Sequence, residues 1–209
     1  MNTIKLYRQY RDVGTELAHK ITESCLSPET ITGAAKLLGI LRGNQITLES
    51  EEEGTAVMDF TIHDYQADGK NAIAIYRDEI GAKNPQEENL IAAQLSSYTS
   101  LFKVTETIRR ENVILLKDLL TDREDIRLTD ISMSKTAPTG LLLFTRVIPL
   151  KEFNITSGSS FAFLEDQETH LVKKQKSLAK KVKSDDEAVQ RFVAFFKLNR
   201  SRGMNVAYR

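Results

Sequence analysis

The chain has 209 residues and a mass of 23.6 kDa, long enough to bury a sizeable core in one domain. Apolar residues make up 41% and charged residues 28%, which excludes a disordered, collagenous or fibrous chain. The 29 basic residues balance 29 acidic ones, so the net charge carries no whole-chain signature of nucleic-acid binding.

A single cysteine, Cys25, excludes an intramolecular disulfide framework and a cysteine-rich zinc module. Three scattered histidines argue against an all-protein zinc site. The first twenty residues break every apolar stretch with polar side chains, whereas a secretory leader needs roughly 7–15 continuous apolar residues. No apolar run approaches the roughly 20 residues of a membrane helix. The expectation is a cytoplasmic protein without a membrane partner.

Leu6, Tyr10, Val13, Leu17, Ile21 and Cys25 recur at steps of three and four, one face of an amphipathic helix. On that stripe Cys25 reads as a small buried hydrophobe rather than a reactive thiol. Ser27-Pro28-Glu29 starts a second helix with a capping hydroxyl and a proline in the first turn. Gly43 and Asn44 are expected to close it.

The period then changes. Ile46 and Leu48 open a short strand, and Glu49 to Glu53 form an acidic turn. Ala56, Met58, Phe60 and Ile62 alternate with Val57, Asp59, Thr61 and His63, which predicts a half-buried strand. Asp68-Gly69 turns it into a hairpin whose second arm is Ala72 to Tyr76. Asn84-Pro85 restarts a helix, and its stripe of Leu90, Ile91, Leu95, Tyr98, Leu101 and Phe102 carries it to about residue 103.

Residues 113–163 read as short strands between turns. Val113 to Leu120, Ile126 to Met133 and Leu141 to Ile148 are the strands, with a loop over residues 134–140. Ser157-Gly158-Ser159-Ser160 is expected to turn the chain. From Glu165 the pattern returns to helix, with Leu171, Leu178 and Val182 among many lysines. Ser184-Asp185-Asp186-Glu187 matches a capping box ahead of Val189, Phe192, Val193 and Phe196.

The predicted fold is one α+β domain over residues 1–209. A helical pair spans 1–43. An antiparallel meander or small barrel spans 44–163, with an inserted helix near 85–103. C-terminal helices occupy 165–200, and 201–209 form a tail.

Phosphate-loop, dinucleotide and nucleophile-elbow motifs are absent, so no catalytic, cofactor or metal residue is assigned. Asp59, Thr61 and His63 share the polar face of the predicted strand. They form the one candidate polar site for a hydrolase or a metal-dependent enzyme. The ordinary alternative is an exposed hairpin face. Asp122, Glu124, Asp125 and Asp130 gather near one turn, but lack the glycine and terminal glutamate of a calcium loop.

Charge is distributed in blocks. Residues 49–90 carry eleven acids against three bases, a net of about −8. Residues 170–209 carry eleven bases against three acids, about +8. These blocks meet within or between copies, or the basic one holds a polyanion, or both are solvated.

Lys173, Lys174, Lys176, Lys180, Lys181 and Lys183 carry the basic surface. Without arginine, aromatic or glycine interleaving they rank nucleic acid below the other two. A helix this poor in apolar residues is expected to stand partly off the body, or to pack only in an oligomer. The leading expectation is therefore a non-enzymatic interaction or regulatory protein. It needs no cofactor and self-associates through its opposite charge blocks. The alternatives are the hydrolase and the polyanion binder.

Overall fold

Capping chemistry starts the helices where the sequence requires it. In the computed structural model, which describes residues 3–204, α1 (Thr3–Cys25) buries Tyr7, Tyr10, Leu17 and Ile21 on its apolar stripe. Ser27 Oγ accepts the Thr30 N–H at 3.2 Å to begin α2 (Pro28–Leu38). Gly39, at φ 78°, closes α2, four residues earlier than the sequence suggested. Gly43 and Asn44 instead turn a two-residue hairpin of β1 (Leu41–Arg42) and β2 (Gln45–Ile46).

Residues 51–63 are helical, not a strand. Ser50 caps α3 (Glu51–His63) by accepting the Glu53 N–H at 3.4 Å. The Glu53 carboxylate reaches back to the Glu49 N–H at 2.7 Å. Together they make a variant of the capping box in which the carboxylate takes the N–H one residue before the cap, with three glutamates in the first turn where the helix dipole favours them. The alternation misled because α3 is buried on more than one face. Ala56, Val57, Phe60 and Ile62 are all buried, and continuous burial erases the helical period.

The expected second arm of the hairpin is also a helix, α4 (Ala72–Glu79), capped by Asn71. Asn84 caps α5 (Pro85–Leu95) by accepting the Glu87 N–H at 2.9 Å. This helix stops eight residues short of the expectation. Ser96 and Ser97 bond back to Ala92 O and Gln94 O. Then β3 (Tyr98–Ile108) takes the β-branched run Val104, Thr105, Thr107 and Ile108. Tyr98, Leu101 and Phe102 are thus strand residues, paired with Val147, Phe144 and Leu143.

The remaining strands are β4 (Val113–Asp118) and β5 (Ile126–Thr129), then, after the single turn of α6 (Met133–Thr136), β6 (Leu142–Pro149) and β7 (Asn154–Phe163). They close a barrel in the order β3-β4-β5-β7-β6. Its β3–β4, β4–β5 and β3–β6 pairs are antiparallel, and β5 runs parallel to β7. The predicted serine-glycine turn does not exist. Residues 157–160 run inside β7, with Gly158 at φ 100°. Thr145 binds Ser159 O at 2.9 Å and Ser160 Oγ at 2.8 Å.

The C-terminal helices are α7 (Glu168–Ala179) and α8 (Glu187–Arg202). Asp186, not Ser184, caps α8, accepting from Ala188 N and Val189 N. Helix α8 takes in the first two residues of the expected tail, and residues 205–209 of that tail lie outside those described.

The chain is α+β, with eight helices and seven strands among the described residues. It divides into two compact units: the chain up to Ser97 with Ile148–Glu152, and Tyr98–Val147 with the chain from Phe153 onward. The first is helical. Its buried centre includes Leu17, Ile21, Leu38, Phe60, Ile73 and Tyr76. The second is the barrel, filled by Phe102, Val104, Ile114, Leu116, Leu128, Leu143 and Val147. Helix α8 lays Phe192, Phe195 and Phe196 against Phe144, Phe161 and Phe163 of β6 and β7.

Candidate functional site

The six lysines stand at the C-terminal end of the barrel unit. Lys173, Lys174 and Lys176 lie on α7, which ends at Ala179. Lys180 follows at once, and Lys181 and Lys183 sit in the turn before α8. They therefore do not share one helix. At 100° per residue, Lys173, Lys176 and the adjoining Lys180 fall within about 60° of one another. Leu171 and Leu178 lie on the opposite side.

Helix α7 does not stand off the body. Leu171 is 0% exposed, and α7 packs on α8 within the same unit. One well-buried leucine and the half-buried Leu178 and Val182 are enough to seat it. That leaves the lysines on a fixed surface.

All six lysines are exposed, and none has an ion-pair partner among the described residues. Nearby charges behave otherwise. Lys103 is held by Glu165 at 2.7 Å and Glu168 at 3.3 Å. The negative C-terminal end of a helix is satisfied by one or two cations in its last turn. Six cations in eleven residues exceed that need and repel one another, to an extent that solvent and salt reduce.

Of the other candidates, Asp59 and His63 come together on α3 at i and i+4. His63 Nδ1 lies 2.9 Å from Asp59 O and 3.4 Å from Asp59 Oδ1. Both side chains are buried, at 7% and 6% exposure. Thr61 does not join them, because its hydroxyl donates to Val57 O at 2.7 Å. The shared face expected of a strand is replaced by a helical pair with its third member turned away.

The acidic turn separates likewise. Asp122, Glu124 and Asp125 are exposed, while Asp130 accepts the Ser132 and Met133 N–H groups at 2.9 and 2.7 Å. Among the described residues no group of three His, Cys, Asp or Glu is placed to hold a metal ion.

One polar cluster escaped the sequence. Glu87, 1% exposed, accepts from Lys20 Nζ at 3.2 Å, Tyr76 OH at 3.0 Å and the Lys83 N–H at 3.0 Å. Burial opposes its charge. The Lys83, Lys20 and Tyr76 hydrogen bonds and the Lys20 charge outweigh that and hold the carboxyl below its ordinary range. Asn84 followed by Glu87 at the third position is a legible capping pattern. Lys20, 67 residues away, is not.

Burial, with the Glu87 hydrogen bond and charge, pushes the Tyr76 phenol up to about 12. The unfolded chain therefore ionises first. Stability contributed by the neutral phenol is complete below about pH 10 and is lost as pH rises towards 12. Tyr76→Phe should flatten that alkaline loss, read as unfolding free energy against pH in denaturant titrations. An unchanged alkaline slope would reject the assignment. Cys25 is half-buried rather than fully buried as the sequence suggested. Burial and the Glu79 charge raise its thiol.

No helix among the described residues is long and apolar enough to cross a membrane. Fold and site define an α+β protein with a carboxylate-centred helical unit and a closed five-stranded barrel whose unit carries six exposed lysines without ion-pair partners among the described residues. The chain belongs to DUF7986, a family of unknown function, which matches residues 1–209. No curated protein matches it, and no solved structure does.

Proposed function

We propose that this is a non-enzymatic interaction protein that holds a polyanion on the ridge formed by Lys173, Lys174, Lys176, Lys180, Lys181 and Lys183. The observation that carries the reading is their exposure without a carboxylate partner. A polyphosphate chain relieves that repulsion and releases its own counterions. The barrel supports the reading by analogy. Its five strands close a barrel with one parallel pair, and some five-stranded barrels of other proteins bind oligonucleotides and oligosaccharides. The β4 and β5 sequences, VILLKD and IRLT, contain no aromatic residue. The lysine segment itself, residues 173–183, contains no aromatic residue either, so contact is with the phosphate backbone and not with the bases. A cytoplasmic setting belongs to the same proposal, where Cys25 stays a thiol.

Fluorescence anisotropy with a labelled random oligonucleotide tests it. Binding at roughly 0.05 M salt should weaken with a log–log slope of about −4 for a single strand and about −5 for a duplex if all six lysines engage. Replacing the six by glutamine should abolish binding and leave the circular dichroism spectrum unchanged. No binding at low salt, or binding indifferent to the six substitutions, rejects the proposal.

Self-association has its own observation. Residues 42–52 are exposed throughout and set Ile46 and Leu48 beside Glu49, Glu51 and Glu52. In that reading sedimentation shows an oligomer at 0.05 M salt that dissociates by about 0.5 M, as the screening length falls to about 4 Å. A monomer at both salts removes it.

A further inference from the structure

A groove of about 710 Å³ runs along α5 in the helical unit, and Arg77, Ala82 and Lys83 line it beside that helix. Its size is that of a small-molecule site. The two ends differ in chemistry because α5 presents one face to it. Asn84, Pro85, Glu88, Ile91, Ala92 and Leu95 recur at helical steps. The C-terminal half of that face is apolar and the N-terminal half polar.

Three donor groups of the lining remain open. Arg77 gives its Nε to Asp78 at 2.7 Å, and its terminal nitrogens bond no described residue. The Lys83 ammonium has no carboxylate partner among the described residues. Asn84 spends its oxygen on the Glu87 N–H and keeps its amide hydrogens. Glu88 is the single acid in the lining, against Arg77 and Lys83. The groove thus carries one net positive charge, which matches a monoanion better than a dianionic phosphate.

We propose that this groove binds a small amphipathic monoanion. Its carboxylate lies against Lys83, Arg77 and Asn84, and its apolar body lies over Ile91, Ala92 and Leu95. A carboxylate suits the site because it accepts from several donors at once, and the guanidinium edge matches it in two-point geometry. The apolar body covers the exposed Ala92 and the half-buried Leu95, above the buried Ile91, and each Å² taken from water gains roughly 25 cal/mol. Nothing in this depends on the lysine ridge of the other unit.

Titration calorimetry of the full chain with 4-phenylbutyrate, 4-phenylbutylamine and 4-phenylbutanol tests it, with methyl NMR shifts of Ile91 and Leu95 reporting location. The acid should bind at least tenfold more tightly than the amine and the alcohol, and should move the Ile91 and Leu95 methyl signals. Lys83→Ala should weaken the acid at least tenfold and leave the alcohol unchanged. Lys83 is exposed, so that variant keeps the fold. Ala92→Phe, which fills the groove from an exposed position, should abolish binding of all three. Equal affinity for acid and amine, absence of binding at millimolar acid, or methyl signals that stay in place would each overturn the proposal.

Discussion

Replacing Phe195 by alanine should destabilise the barrel unit by about 3–5 kcal/mol, the range for a large aromatic lost from a closed core. Phe195 is 0% exposed. Its ring stacks on Phe144 at 4.2 Å between centroids, nearly parallel at 13°. It meets Phe163 edge-on at 6.4 Å. Phe144 in turn touches Phe161 and Phe192, and Phe161 touches Phe196.

One ring therefore supports a connected group of six, shared by β6, β7 and α8. Removing it leaves a cavity that β-sheet backbone cannot collapse to fill. Phe195→Leu, which retains most of the volume, should cost about 1–2 kcal/mol. Guanidinium unfolding read by α8-specific amide exchange measures both. Equal costs for alanine and leucine would show that the ring packing is not what holds α8 to the barrel.

The second large effect belongs to Glu87. Its carboxylate satisfies the buried Tyr76 hydroxyl, the Lys83 N–H and the Lys20 ammonium at once. Glu87→Ala leaves two neutral donors without an acceptor, at about 1–3 kcal/mol each. It also strands a Lys20 charge that is 30% exposed and partly solvated. The expected loss is about 2–6 kcal/mol for the helical unit.

Glu87→Gln keeps one acceptor oxygen and should lose about half as much. Because the Glu87 carboxyl lies below its ordinary range, its contribution is present above the unfolded pKa of about 4.5. It fades as pH falls through the folded value. Urea unfolding at pH 7 and at pH 3 should show a wild-type difference that shrinks in both variants. A variant that keeps the full acid dependence would place that dependence on another group.

Local chemistry was legible wherever it was strictly local. Ser27-Pro28 and Asn84-Pro85 announced two helix starts, since a capping oxygen and a fixed proline φ act within one turn. The long stripe from Leu6 to Cys25 specified α1 for the same reason. The barrel was legible as one of two alternatives, because strands 113–118 and 142–149 announce themselves by composition. Their closure does not.

Helix α3 shows the limit. Its capping box at Ser50 and Glu53 lay in the sequence, yet the alternation of Ala56 to His63 outweighed it. Burial on several sides of α3 decided the matter through packing. The site divides in the same way. The six lysines and their charge could be read directly, since charge is a property of residue type. Whether they were neutralised could not be read, because a carboxylate partner may come from any position in the chain.

Residue order was enough to place the starts of α2 and α5, the return to helix near residue 165 and the two charge blocks, all products of interactions spanning a few residues. Long-range packing made residues 51–63 a helix, took Tyr98 to Phe102 out of α5 into β3, and carried the serine run on through β7. It alone joined Lys20 to Glu87 across 67 positions and seated α7 through Leu171. In each case the deciding energy is burial or a buried hydrogen bond between distant residues. That energy exists only once the chain has closed on itself.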